Sequence, residues 1–309
     1  MPAANKPSLV TLGDFFRLAE RRFRAARLAY GHGTTNARDE AAFLMLEALR
    51  LPVHNIGPWL ALKPTAAERA RLTTLIDARI SLRLPAPYLV GAAYMHGVRF
   101  HVDRRALIPR SFIGDMLADG ALPIGDPRRI RRVLDLCTGS GCLAVLAALA
   151  FPSARIDAVD LSAGALALAR RNVARHRLGD RITLHRGDLF APLARQRYDL
   201  IISNPPYVDA GAMAKLPPEY RHEPRMALAA GKDGLDLVRR IVDQAPQHLT
   251  KNGSLLCEVG RGQRALEQAY PRLPFVWLDT EQSEGEVLWI ARAGLTTWSK
   301  VRPNRIASS

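Results

Sequence analysis

The sequence predicts an α/β protein whose parallel-dominated sheet carries helices on both faces and follows a small helical bundle. Three observations predict it. Apolar positions recur at three- and four-residue spacing through residues 1–85. From Arg131 onward, short apolar runs of strand length alternate with helical patterns, the sign of a sheet with crossover helices. Between the two regimes, Pro85 and Pro87 stop the helical pattern, and a hairpin-like stretch surrounds Gly97.

The elements follow in order. Phe15, Leu18, Ala19, Phe23, Ala26 and Tyr30 share one helix face, and Gly31 and Gly33 end that helix. Asn36 to Leu49 is a second helix, with Ala42, Met45, Leu46 and Leu49 together, before Pro52 and Pro58 break the pattern. Thr65 to Arg83 is a third, opened by Thr65 with Glu68 three residues later, a capping box. Tyr94–Val98 and Phe100–Leu107 read as short strands. Val133–Leu136 is a buried strand, followed by a glycine turn and an apolar helix from Cys142. Arg155–Asp160 is a strand and Ser162–Arg177 a helix. Strands follow at Arg181–His185 and Tyr198–Ser203, then a helix at Gly234–Leu249 and a strand at Gly253–Val259. A helix at Arg261–Tyr270 and strands at Phe275–Leu278 and Glu286–Ile290 complete the series, and Trp298–Ser309 reads as a basic tail.

Composition narrows the class. A chain of 309 residues suggests one large domain or two, and 48% hydrophobic residues suffice for a packed core. The net charge of +15 comes from arginine, 38 against 6 lysines. Such a field favours polyanions such as RNA, although arginines standing in for lysines on a solvated face give the same count. The densest run, Arg128, Arg129, Arg131 and Arg132, flanks a predicted strand. The cysteines, Cys137, Cys142 and Cys257, form no CxxC pair and no zinc spacing, so no metal site is expected; their odd, sparse count fits a reducing compartment. The longest apolar stretch, Cys142–Phe151, is about half a membrane span, and the residues around Lys6 and Asp14 contain no apolar signal region. A cytoplasmic protein with no membrane partner is the reading.

Ligands of open α/β sheets bind beyond the carboxyl ends of the strands. The first strand leads into Asp135-Leu136-Cys137-Thr138-Gly139-Ser140-Gly141, where Gly139 and Gly141 allow a tight turn and close approach of a ligand. The spacing is G-x-G without the dinucleotide fingerprint. The second strand ends in Asp160, placed to accept hydrogen bonds from both hydroxyls of a ribose. Gly187-Asp188-Leu189 follows the third, where Asp188 would accept from an adenine amino group with Leu189 against the ring. Each aspartate alone could equally be a helix N-terminal charge. Together they describe an adenosine clamp with no lysine for phosphates and no GxxxxGK[ST] loop, which suits S-adenosylmethionine better than NAD or ATP.

The fourth strand runs straight into Asn204-Pro205-Pro206-Tyr207. Two prolines fix the backbone and remove N–H groups, so the loop presents acceptors without competing donors. The Asn204 side-chain oxygen and the Pro205 carbonyl can take both hydrogens of a substrate NH2. Gripping both N–H bonds aims a poorly nucleophilic amide nitrogen and favours its pyramidalisation. Tyr207 offers a flat face to a planar amide or base. Catalysis is then positioning, with no covalent nucleophile.

Asn-Pro-Pro-Tyr after strand four, with Thr-Gly-Ser-Gly after strand one, resembles the HemK-like protein-glutamine methyltransferases, and the helical N-terminus and hairpin extend the resemblance over nearly the whole chain. One branch of that family methylates peptide-chain release factors, the other the large-subunit ribosomal protein L-three. Leu107-Ile108-Pro109-Arg110 followed by Ser111-Phe112-Ile113, Cys137 where the release-factor branch usually has glycine, Glu219-Tyr220-Arg221-His222-Glu223-Pro224 and Gly231-Lys232-Asp233-Gly234-Leu235 are similar to the second branch. The resemblance implies a seven-stranded, Rossmann-like class I methyltransferase sheet over 110–295, a helical substrate-recognition domain at 1–85, a hairpin linker at 86–109 and a basic tail at 296–309. It implies that Asn204, Pro205, Pro206 and Tyr207 bind a glutamine amide. It also implies that the 137–141 loop, Asp160 and Asp188 bind S-adenosylmethionine, beside Asp135, Leu189 and Asn204. The partner would be the L-three protein, met free or on assembling ribosomal RNA. Alternatives are a release-factor methyltransferase, an adenine methyltransferase acting on nucleic acid, and a ribosome-binding protein that kept only the fold.

Overall fold

A computed structural model of the chain describes residues 9–193, 195–280 and 283–301, so Lys6 and the end of the basic tail, 302–309, lie outside the described residues. The chain divides into two units: Met1–Ala93 with Pro217–His222, and Tyr94–Leu216 with Glu223–Ser309.

The first unit holds α1 (Leu12–Ala25), α2 (Ala37–Ala48), α3 (Ala66–Ser81) and the short α4 (Ala86–Val90). Thr11 and Asp14 form a capping box on α1, and Thr65 and Glu68 the expected one on α3, each worth about 1 kcal/mol. The first helix stops at Ala25, short of the expected Tyr30, because Arg27 takes a left-handed conformation. Leu12, Phe15, Phe23, Leu44, Leu72 and Ile76 are buried together as its core. The six residues 217–222, a 3₁₀ turn over Pro218–His222, complete this unit. Their Glu219 is fully buried: it accepts from the Ala29 N–H at 3.0 Å and pairs with Arg83 at 2.7 Å. Beside it, buried Arg79 donates to Glu40 at 2.7 Å. Removing one partner of such a set strands a buried charge, at a cost of about 3–5 kcal/mol. The sequence pattern gave no hint that residues 217–222 belong with the helices.

A two-stranded hairpin, β1 (Ala92–Met95) and β2 (Val98–His101), spans the chain's passage into the second unit, which opens with α5 (Phe112–Asp119). Then come β3 (Arg132–Leu136), α6 (Cys142–Ala150), β4 (Arg155–Asp160), α7 (Ala163–Arg175), β5 (Ile182–Arg186), β6 (Tyr198–Ser203) and α8 (Ala210–Lys215). The unit ends with α9 (Asp236–His248), β7 (Leu249–Glu258), α10 (Gln263–Ala269), β8 (Val276–Thr280), β9 (Ser283–Ala291) and α11 (Arg292–Val301). The segment expected to be a tail thus begins as helix.

Seven strands form one sheet in the order β5-β4-β3-β6-β7-β9-β8. The pairs from β5 to β7 are parallel, and β9 runs antiparallel to both its neighbours. The strand order reverses beside β3, and such a switch point opens a crevice at the carboxyl ends. Leu136 of β3 is level with Ser203 of β6, so Cys137 and Asn204 leave the sheet side by side. The Ser203 hydroxyl donates to the Leu136 carbonyl at 2.9 Å and ties the two strand ends together.

Candidate active site

The glycine loop is held from behind and from the side. Asp135, fully buried, accepts from the Thr138 hydroxyl, while the Thr138 N–H donates to Val159 at 3.0 Å. Burial pushes the Asp135 carboxyl up to about 7, against the Thr138 hydrogen bond, which lowers it. Gly139 and Gly141 both have positive φ. Gly141 is the N-cap of α6, and a Cβ there would lie 3.1 Å from the Ala169 Cβ, so both conformation and space require glycine. Cys137 also sits at a positive φ, +59°, a conformation that favours glycine. That is the physical reason glycine suits this position; cysteine here carries a local strain of about 1–2 kcal/mol.

Asp160 ends β4 and faces the same loop. Its Oδ2 accepts from the Gly139 N–H and its Oδ1 from the Ser162 N–H, both at 2.8 Å. Burial raises its carboxyl, and the backbone N–H groups pull the other way. The Leu161 N–H contributes as well, and the acceptor capacity that remains faces the cavity, open to an incoming hydroxyl. Asp188, after β5, is exposed and paired with Arg240 at 2.7 Å; Leu189 behind it is buried in the core.

A cavity of about 270 Å³ lies between these loops, close to the lower end of small-molecule pockets, roughly 300–1,000 Å³. Of the residues singled out in the sequence, Cys137, Gly139, Asp160, Asp188, Leu189, Asn204 and Pro206 line it. Asp135, Thr138, Ser140, Gly141, Pro205 and Tyr207 do not. Asp135, fully buried, supports the loop through the Thr138 hydroxyl. Sequence reading missed Leu161, which is exposed at the cavity immediately after Asp160, and the Pro224–Ala229 stretch that contributes Met226. An exposed leucine directly after a strand-end aspartate was the available signal. No lysine lines the cavity, and its arginine, Arg105, is paired with Asp103 at 2.6 Å. These linings fit a nucleoside without phosphates.

The Asn204 side chain is oriented. Its Nδ2 donates to the Arg110 carbonyl at 3.1 Å, which turns Oδ1 away as an acceptor. Pro205 and Pro206 are buried, and the ring of Tyr207 lies where a Cβ on Gly260 would be 2.7 Å from it. Burial, then the neighbouring Glu258, keep the Tyr207 hydroxyl protonated. Glu258 ends β7, one residue beyond the Ser203–Cys257 pairing, and burial pushes its carboxyl up to about 7.

The arginine run is partly absorbed by the fold: Arg128 pairs with Asp126, and Arg132 pairs with Asp157 and lies over the Tyr198 ring. Among the described residues, no cluster of His, Cys, Asp and Glu could hold a metal, and no helix is long and apolar enough to cross a membrane.

Residues 123–216 match the family described as Methyltransferase small domain. Three relatives carry the name ribosomal protein uL3 glutamine methyltransferase. That of Bradyrhizobium diazoefficiens is 55% identical over 93% of this chain and 92% of its own. That of Bordetella pertussis is 51% identical over 95% and 99%, and that of Burkholderia pseudomallei 50% identical over 91% and 94%. With the strand order, the switch-point cavity and this similarity over more than nine-tenths of its length, the chain belongs to the ribosomal protein uL3 glutamine methyltransferase family and has the seven-stranded class I methyltransferase sheet.

Proposed function

We propose that this protein transfers the methyl group of S-adenosylmethionine to the side-chain amide nitrogen of a glutamine in ribosomal protein uL3. The observation that carries the reading is Asn204, with its acceptor oxygen freed by the Arg110 carbonyl, at the rim of a nucleoside-sized cavity in a chain 55% identical to a uL3 glutamine methyltransferase.

S-adenosylmethionine supplies an electrophilic methyl group on sulfonium. The chain's own residues do the rest. Asp160 would accept from the ribose hydroxyls, and Leu161 and Leu189 would pack against the purine beside Asp188. Asp135 and Thr138 hold the 137–141 loop in shape. Asn204 Oδ1 and the Pro205 carbonyl take the two N–H bonds of the glutamine amide, and Tyr207 walls the amide plane. No side chain attacks: the nitrogen–methyl bond would form as the sulfonium–methyl bond breaks, S-adenosylhomocysteine would leave and one of the two N–H protons would pass to water; well-oriented intramolecular reactions gain about 7–11 kcal/mol from such positioning. Acting on a ribosomal protein, the enzyme works in the cytoplasm, and its +15 charge suits a substrate met on ribosomal RNA.

The test is methyl transfer from labelled S-adenosylmethionine to purified uL3, to a release factor and to nucleic acid in parallel, with mass spectrometry of the product. Label on a uL3 glutamine, lost in Asn204→Ala while cofactor affinity persists, is the expected result. Label on adenine or on the release factor alone would overturn the assignment.

A further inference from the structure

The side chain of Asn204 has two ends of similar shape and opposite chemistry. Only one orientation serves the proposed reaction: a substrate NH2 brings two donors, so the site must offer an acceptor. Backbone position does not decide between the two. The Arg110 carbonyl does, because it accepts from Nδ2 at 3.1 Å and would repel Oδ1. The orientation of Asn204 is therefore only as secure as the place of that carbonyl.

Two buried carboxylates secure it, one on each side. Upstream, Glu223 accepts from the Ile108 N–H at 3.1 Å and grips the Arg110 guanidinium with both oxygens, each at 2.7 Å. Downstream, Glu258 accepts from the Ser111 hydroxyl and from the Ile113 N–H, the latter at 3.2 Å. Ser111 is the N-cap of α5 but makes no cap hydrogen bond of its own; the Glu258 carboxyl accepts from the Ile113 N–H at that helix end instead. Glu223 is 4% exposed and Glu258 2%, so neither carboxylate serves solvent contact. Two sequence features that resemble the uL3 branch, Leu107-Ile108-Pro109-Arg110 and Glu219-Tyr220-Arg221-His222-Glu223-Pro224, thus meet in one forked ion pair directly behind the amide loop.

We propose that Arg110, Glu223 and Glu258 are positioning residues for methyl transfer: they clamp residues 108–113 so that the Arg110 carbonyl sorts the Asn204 amide and presents its oxygen to the substrate. The proposal rests on the reading of Asn204 as the amide acceptor. It also gives the site a preference. A glutamine amide can donate to the presented oxygen, whereas an ionised glutamate can only repel it.

The test uses the full-length enzyme with uL3 and S-adenosylmethionine. Glu223→Gln, Glu258→Gln and the milder Ser111→Ala are compared with wild type and with Asn204→Ala for kcat, KM of each substrate, calorimetric cofactor affinity and thermal midpoint. The glutamine variants should lose about 10- to 100-fold in kcat, the scale of an ångström of misplacement, with cofactor affinity within about twofold of wild type. Ser111→Ala should lose less, in the same parameter. In wild type, the Asn204 side-chain NH2 should give two distinct, slowly exchanging proton resonances, which approach each other in Glu223→Gln. Should Asn204→Ala abolish turnover while both glutamine variants turn over normally, the clamp is wrong and the amide site stands. Should Asn204→Ala turn over normally, the amide site itself is wrong. Parallel loss of cofactor affinity and turnover in Ser111→Ala would reduce the carboxylates to general scaffolding and overturn the proposal.

Discussion

Removing the Asp160 carboxylate separates binding from folding, because this group does two jobs with four lone-pair directions. Two are spent inside the protein, on the Gly139 and Ser162 N–H groups at 2.8 Å each. The Leu161 N–H engages the same carboxylate, and the acceptor capacity left over is for ribose. A hydrogen bond to a charged group contributes about 1.5–3 kcal/mol, and the free carboxylate must shed water to make it, so Asp160→Ala should cost about 2–4 kcal/mol of cofactor binding. That is a Kd raised roughly 30- to 700-fold. The same variant unties the glycine loop from β4, at about 1–3 kcal/mol of folding stability. Asp160→Asn sharpens the test. It keeps the shape, but its NH2 must face one of the two N–H donors, so it should bind nearly as poorly as alanine. Calorimetric titration with S-adenosylmethionine and S-adenosylhomocysteine measures the first cost, and urea unfolding without ligand the second. If Asp160→Ala keeps wild-type affinity for both nucleosides, the carboxylate does not hold the ribose and the cofactor placement fails.

Three further outcomes follow from the same geometry. Gly141→Ala places a Cβ 3.1 Å from Ala169 at φ +79°, so it should lose about 1–2 kcal/mol from conformation alone and weaken cofactor binding; an unfolding midpoint equal to wild type would contradict this. Asp135 and Glu258 are both raised to about 7 from ordinary values of 3.8 and 4.5. Each therefore contributes stability that is complete below its ordinary value and lost as pH rises through about 7. The thermal midpoint should fall between about pH 4 and pH 7, the window these values set, level off above it, and fall less in Asp135→Asn or Glu258→Gln; an unchanged slope in both variants would show that neither group is held protonated. Finally, kcat/KM for uL3 presented on ribosomal RNA should drop steeply from about 50 to 200 mM salt, as phosphate contacts are screened, while free uL3 should show a shallower slope. Equal, shallow slopes would remove electrostatic capture as the reason for the +15 charge.

The sheet was largely legible because its strands are written as dense apolar runs between charges and glycines. Arg155–Asp160 and Tyr198–Ser203 are found where the sequence puts them, residue for residue. Most of the cavity's polar lining was legible too, since ligand loops follow strand ends. What escaped were features without a local signature. The helices α4 and α5 are five and eight residues long, too short for a periodicity to repeat. Alternation along β3 could not say that Asp135 turns inward, because a strand-end aspartate reads the same from either face. Glu223 and Glu258 look like ordinary surface acids in sequence; their burial depends on partners 113 and 145 residues away. Glu219 was noticed as part of a motif, yet only the fold shows it belonging with the helical unit.

Several unfavourable features of the second unit lie near the carboxyl ends of its strands. Cys137 and Leu189 hold left-handed backbones in loops that line the cavity, and Asp135 and Glu258 are buried acids near the carboxyl ends of β3 and β7. The left-handed backbones cost strain, and the buried acids cost desolvation once they ionise. A reaction that uses no covalent intermediate gives a reason for the concentration. When rate comes from holding two partners at a fixed distance and angle, looseness in either loop is lost rate. Hydrogen bonds to buried carboxylates, proline pairs and left-handed turns are what rigid loops can be built from. The two loops are stiffened by different means, glycines with Asp160 on one side and prolines with the Arg110 carbonyl on the other. Stabilising substitutions that relax the left-handed backbone at Cys137 should therefore raise the unfolding midpoint at the expense of turnover, whereas equally stabilising changes in the helical core around Phe15 and Leu44 should leave turnover where it is.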